Sequence, residues 1–291
     1  MQKPMAVAAL LALMACSSPE EMSDGVGVAQ AHAASVTGET ARETLDRRTA
    51  PEAEPMTFRD DQKNGAAARD FAYYWPREAS AIPGLAARLR ERRDADLAAQ
   101  KSEWEQSIAE FATEKDEMMC VTCVNRSYAM SWSVVADTPR FLELVGERFT
   151  YTGGAHGNSV YDAILWDREA GEDAPSAMRP VDLFVDEVAL ENTAYGDYCA
   201  ALNRARSERR GLDPDAIDPL TDCPSVSELI VTLTASDGER FDGVSFLAAP
   251  YVAGSFAEGP YQFAIPVSSA ILEAVKPKYR EAFALEAGRS G

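Results

Sequence analysis

The rhythm of hydrophobic and polar positions changes twice along the chain. Residues 6–13 form an apolar run behind Lys3. From 17 to about 66 Ala, Ser, Thr, Glu and Pro dominate, and neither a helical nor a strand period persists. Beyond about 67 the periods return. The aromatic stretch 70–75 predicts a strand stopped by Pro76. After Ile82-Pro83-Gly84 a long helix is predicted to about 111, with Leu97, Trp104, Ile108 and Phe111 near one face. Its Arg88, Arg90, Arg92, Arg93, Lys101 and Glu105 read as a solvated face. Over 128–134 large side chains at even positions alternate with small ones, which predicts a strand. Strands predicted over 148–152 and 160–166 flank Gly153-Gly154-Ala155-His156-Gly157-Asn158, whose glycines suit a hairpin loop needing positive φ. A second helix is predicted over 188–209, then a Pro- and Asp-rich break over 212–224. Strands follow at 228–234, 244–247 and 261–265, and Ser268 is placed to cap a last helix closed by Pro277. Elements grouped in this way predict an α+β fold, helices packed on mostly antiparallel sheets.

The N-terminal run is too short to span a bilayer, which takes ~20 residues. It ends in Leu13-Met14-Ala15-Cys16, which resembles a bacterial lipobox. The expectation is a signal peptide over 1–15, a lipid on Cys16 and a disordered tether over 16–66. Ser17 after the Cys points to the periplasmic face of the outer membrane. The membrane is then reached through the lipid, since no later segment is long and apolar enough to cross one.

Charge and histidine count narrow the chemistry. Of the 291 residues 47 are acidic and 28 basic, a formal net charge of −19, which argues against a nucleic-acid partner. Only two histidines occur, His32 in the tether and His156 in the glycine loop. His156 reads either as a ligand contact or general base in a Gly-lined cleft, or as an imidazole that locks a demanding turn. One His with scattered carboxylates is no recognisable metal set, and no cofactor fingerprint appears. Besides Cys16, four cysteines remain: Cys120, Cys123, Cys199 and Cys223. In an oxidising envelope they read as two disulfides with three connectivities. The favoured pairs are Cys199–Cys223 and Cys120–Cys123, against a redox CxxC or a four-thiolate zinc site.

Phe71, Trp75-Pro76, Ile82-Pro83-Gly84-Leu85 and the long helix resemble the PdaC-type domain found beside peptidoglycan deacetylases. Tyr151-Thr152-Gly153-Gly154-Ala155-His156-Gly157 and Asp182-Leu183-Phe184 are similar to the start of the C-terminal module of the anti-sigma factor RsiV. Pro250-Tyr251, Gly254, Phe256-Ala257-Glu258-Gly259-Pro260 and Ile265-Pro266 match its later part. The resemblance implies a PdaC-like domain over 67–155, an RsiV-like domain over 156–291, an envelope location and recognition of a lysozyme. It does not carry over deacetylation, because Asp60-Asp61 falls in the tether and no His pair accompanies it. The expected function is a non-catalytic, lipid-anchored envelope protein that binds a peptidoglycan-related ligand or a cationic wall-degrading protein. Its ligand-binding candidates are Gly153, Gly154, His156, Gly157, Tyr251 and Glu258. Two alternatives stand beside it: an envelope hydrolase with a site around His156, and a structural outer-membrane assembly lipoprotein.

Overall fold

The computed structural model describes residues 53–113, 121–171, 176–212 and 222–285. All of them fall in one compact unit, 36–291. Cys16 lies outside the described residues.

The chain is α+β, built on two sheets. Strand β1 (Met56–Arg59), β2 (Gln62–Asn64), β3 (Ala67–Trp75), β4 (Arg126–Asp137), β5 (Phe141–Tyr151), β6 (Asn158–Asp167) and β7 (Ala177–Met178) form a seven-stranded sheet. In β3 the positions Ala67, Arg69, Phe71, Tyr73 and Trp75 turn inward with the period of the pleat. Pro76 ends the strand. A short helix, α1 (Arg77–Ser80), leads to α2 (Pro83–Thr113), which begins on a proline whose missing N–H costs nothing there. Helix α2 is the crossover that lets β4 pair parallel with β3. It buries Leu85 and Leu89 against Phe71, Trp75, Trp132 and Leu144. The one-turn helix α3 (Val121–Val124) precedes β4.

Two expectations about boundaries are corrected. The predicted tether extends to 66, yet β1 and β2 already pair with β3. Met56 and Phe58 alternate with polar residues and pack on the core, but four residues are too few for a visible period. Asp60 and Asp61, expected in the tether, cap this edge: Asp60 pairs with Arg69, and Asp61 Oδ1 accepts from the Phe71 N–H at 3.2 Å. The boundary expected between 155 and 156 falls in the turn of the β5–β6 hairpin, so β6 and β7 belong to the first sheet.

Past a bulge between Val134 and Ala136, the strands of the first sheet are buried on both faces. Leu142, Leu144 and Ile164 meet the α2 side, while Ala136, Phe141 and Leu165 meet a second core. That core belongs to an antiparallel sheet of β8 (Ile230–Thr234), β9 (Gly243–Ala248) and β10 (Tyr261–Pro266), in the order β10-β9-β8. Helix α4 (Glu187–Arg210) lies on it through Leu190, Ala194, Tyr198, Ala201 and Leu202, spaced by three or four residues. Asp186 caps its start by accepting from the Ala189 N–H at 2.7 Å, and Gly211 in left-handed conformation ends it. Ser268 caps α5 (Ser269–Ala274) as expected.

The Cys199–Cys223 disulfide ties α4 to the segment that leads into β8. Closing a loop of 24 residues stabilises on the order of 3 kcal/mol in the chain-entropy picture. Cys123 is also disulfide-bonded, and its expected partner, Cys120, lies outside the described residues. Between the sheets sits Glu143, fully buried, with both carboxyl oxygens 3.1 Å from the Leu233 N–H.

Candidate functional site

The tip of the β5–β6 hairpin is braced from within. Gly153 and Gly154 have φ of 100° and 96°, a region costly for any side chain. A Cβ at Gly157 would collide with the Phe149 ring and the Thr150 carbonyl. Tyr151 Oη donates to the Gly154 carbonyl at 3.0 Å. His156 Nδ1 donates to the Gly157 carbonyl at 2.8 Å, which makes Nε2 the acceptor of the neutral ring. The imidazole is thereby fixed in orientation yet exposed.

The facing wall comes from the segment between β9 and β10, held by the last turns of α4. Buried Arg206 donates through Nε to the Ala253 carbonyl at 2.9 Å and through Nη2 to the Asp222 carbonyl at 3.3 Å. Arg209 donates to the carbonyls of Glu258 and Pro260 at 2.5 and 2.6 Å and lies 4.0 Å over the Tyr261 ring. Arg210 Nε meets the Glu258 carboxylate at 3.1 Å. Three guanidiniums at a helix C-terminus suit both the helix dipole and the carbonyls they bind.

On this support the two walls close into an aromatic shelf. The His156 and Phe256 rings stack with centroids 3.8 Å apart and planes 17° apart. Tyr251 follows, 5.6 Å from Phe256. Tyr251 is the single non-glycine with positive φ among the described residues, at 73°, and its side chain is 63 % exposed. A left-handed backbone at a bulky residue costs on the order of 1 kcal/mol or more. Here that strain holds an apolar ring out in water, the reverse of what folding stability favours.

Of the predicted ligand candidates, Gly153, Gly154, His156 and Gly157 shape one side of the shelf and Tyr251 the other. Glu258 lies beneath rather than on it. Its carboxylate accepts from Tyr261 Oη, from Ser255 N–H at 3.2 Å and Ser255 Oγ at 3.0 Å, and pairs with Arg210. These partners, the Tyr261 hydroxyl foremost, pull its pKa down to about 2, so it stays ionised and serves as a post under the turn. Phe256 and the three arginines were not among the candidates. Phe256 stood in a matched motif without a partner, and nothing local ties it to a histidine 100 residues earlier.

Chemically the shelf offers two π-faces and one imidazole nitrogen. Among the described residues no carboxylate or nucleophile is hydrogen-bonded to His156. No group of three or more His, Cys, Asp or Glu among them is placed to hold a metal ion.

No protein-family model and no curated protein matches the chain by sequence. By shape it is similar to a solved DUF3298-family protein of Bacteroides fragilis, with TM-score 0.50 and 14% identity over 81% of this chain and 98% of that one. A DUF3298-family protein of Pseudomonas aeruginosa aligns with TM-score 0.42 and 14% identity over 77% of this chain and 95% of that one. At 14% identity the first likeness is one of fold alone. The Bacteroides neighbour is bacterial, and its fold is consistent with the RsiV-like module expected from the sequence.

Proposed function

We propose that this protein is a non-catalytic binding protein of the bacterial cell envelope, lipid-anchored through Cys16 at the periplasmic face of the outer membrane. Its PdaC/RsiV-like body presents the His156–Phe256–Tyr251 shelf to a cationic protein that attacks the wall, such as a lysozyme. The observation that carries this reading is Tyr251: an exposed aromatic on a strained backbone, tilted beside the Phe256 ring that stacks on His156. Tyrosines on a preformed support are among the residues on which protein interfaces concentrate their binding energy. The net charge of −19 speeds encounter with a basic partner, an effect that salt weakens.

Titration of the purified protein with lysozyme at low and moderate salt tests the reading. Saturable binding is expected, and Tyr251→Ala or Phe256→Ala should weaken it about tenfold while circular dichroism stays unchanged. Absence of saturable binding at both salts removes this partner. Soluble peptidoglycan fragments titrated in parallel test the other ligand class named from the sequence.

A further inference from the structure

The hairpin that carries the shelf has a second feature on its opposite face, nearer the sheet. Residue 148 of β5 pairs with Met130 of β4 and Val160 of β6, and residue 146, a glycine, pairs with Trp132 and Asp162. Helix α2 leaves part of this face open. The result is a cleft of about 80 Å³ lined by Arg92, Met130, Arg148, Val160, Tyr161 and Asp162.

The charges at this cleft are matched, with one exception. Arg92 binds Asp162 Oδ2 at 2.5 Å and lies 5.2 Å over the Trp132 ring. Asp162 Oδ1 accepts from the Ala163 N–H at 2.8 Å, and nearby Asp96 accepts from the Tyr128 hydroxyl. The Arg148 guanidinium alone makes no side-chain hydrogen bond or ion pair with any described residue, although the residue is half-buried and its charge reaches the Tyr128 hydroxyl. A guanidinium carries five donors in a planar fork, and partial burial removes some of the water that would satisfy them. In a chain so acidic, a carboxylate of its own could readily have taken the place. The acids present point to other partners.

We propose that this cleft is an oxyanion subsite, in which Arg148 receives a carboxylate or phosphate group of a ligand and the Arg92–Asp162 pair forms the side wall. The cleft has room for such a group, since on this measure ~10–15 Å³ already accommodates one water. Paired oxygens match the guanidinium fork. The subsite is independent of the aromatic shelf, because side chains at 148 and 149 point to opposite faces and only Phe149 packs under the loop glycine.

The test follows the Arg148 Nε–H resonance of the full chain by NMR while sodium acetate or sodium phosphate is added, against sodium chloride at equal ionic strength. A saturable shift in the millimolar range is expected. The stronger of the two anions names the source, a carboxylate-bearing or a phosphate-bearing ligand. Arg148→Gln should weaken binding at least tenfold, followed by intrinsic tryptophan fluorescence, and leave lysozyme binding at the shelf unchanged. Should Arg148→Gln not fold, Arg148→Lys decides: a threefold or greater loss supports the subsite. No saturable response beyond chloride, or unchanged affinity in the folded variant, overturns it.

Discussion

Two carboxyl groups on the first sheet sit in opposite environments. At the outer edge, Asp60 bonds Lys101 Nζ at 2.7 Å and the guanidinium of Arg69, which is 1 % exposed. Arg69 also donates to the Asp60 carbonyl at 2.9 Å and to Gln62 and Gln100 side chains at 3.2 and 3.3 Å. In the seam between the sheets, Glu143 has one backbone N–H and apolar neighbours. Lys101 and then Arg69 hold the Asp60 carboxyl below its ordinary range, whereas burial pushes Glu143 well above it. The lesson is that burial drives an acid toward its neutral form, and that cationic partners at a partly exposed edge hold one in its charged form. Edge β1–β2 is held by charge, whereas in the seam burial favours the neutral form of the acid.

This contrast can be broken from either side. The largest effect is expected for Arg69→Ala, which empties a buried site and strands its acceptors: about 3 kcal/mol lost in urea unfolding at pH 7. A smaller effect, visible as a slope, is expected for Glu143→Gln. Glu143 has a folded pKa above the unfolded one, so its favourable contribution is complete below about pH 4.5 and is lost as pH rises. The wild type should therefore lose stability relative to Glu143→Gln as pH rises above about 4.5; parallel curves would show that Glu143 does not titrate with folding. The smallest effect is expected for Asp60→Asn, within about 1 kcal/mol at pH 7 for a partly exposed pair. Its signature has the other sign. A depressed folded pKa contributes stability above about pH 3.8 that is lost as pH falls, so acid unfolding should be shallower in Asp60→Asn.

Much of the fold was legible because it is written locally. Alternation at Tyr128, Met130, Trp132 and Val134 marks a strand that the structure extends to Arg126–Asp137. Ser268, Pro83 and the glycines at 153 and 154 mark ends and turns through backbone preferences that need no distant partner. The strand starting at Phe141 was missed upstream of 148, since burial on both faces erases its alternation. The short edge strands were hidden in a polar stretch and take their stability from β3.

For the site the division is sharper. His156 stood out in a glycine-marked loop and Tyr251 through the resemblance alone, but their meeting across Phe256 did not. The same holds for the grip of Arg206, Arg209 and Arg210 on the turn below, and for the contact of Glu143 with Leu233, 90 residues away.

By itself, then, the sequence determined most of the longer elements, the Ser268 cap and the α+β class, and favoured Cys199–Cys223 among three connectivities, because periodicity and turn chemistry act over short range. Only the tertiary structure decided that β3 pairs parallel with β4, that one sheet runs through the expected module boundary, and that an exposed aromatic row forms where two distant loops touch. Those choices depend on which faces find each other after the chain has collapsed, and contacts between distant segments leave no mark on the residues beside them.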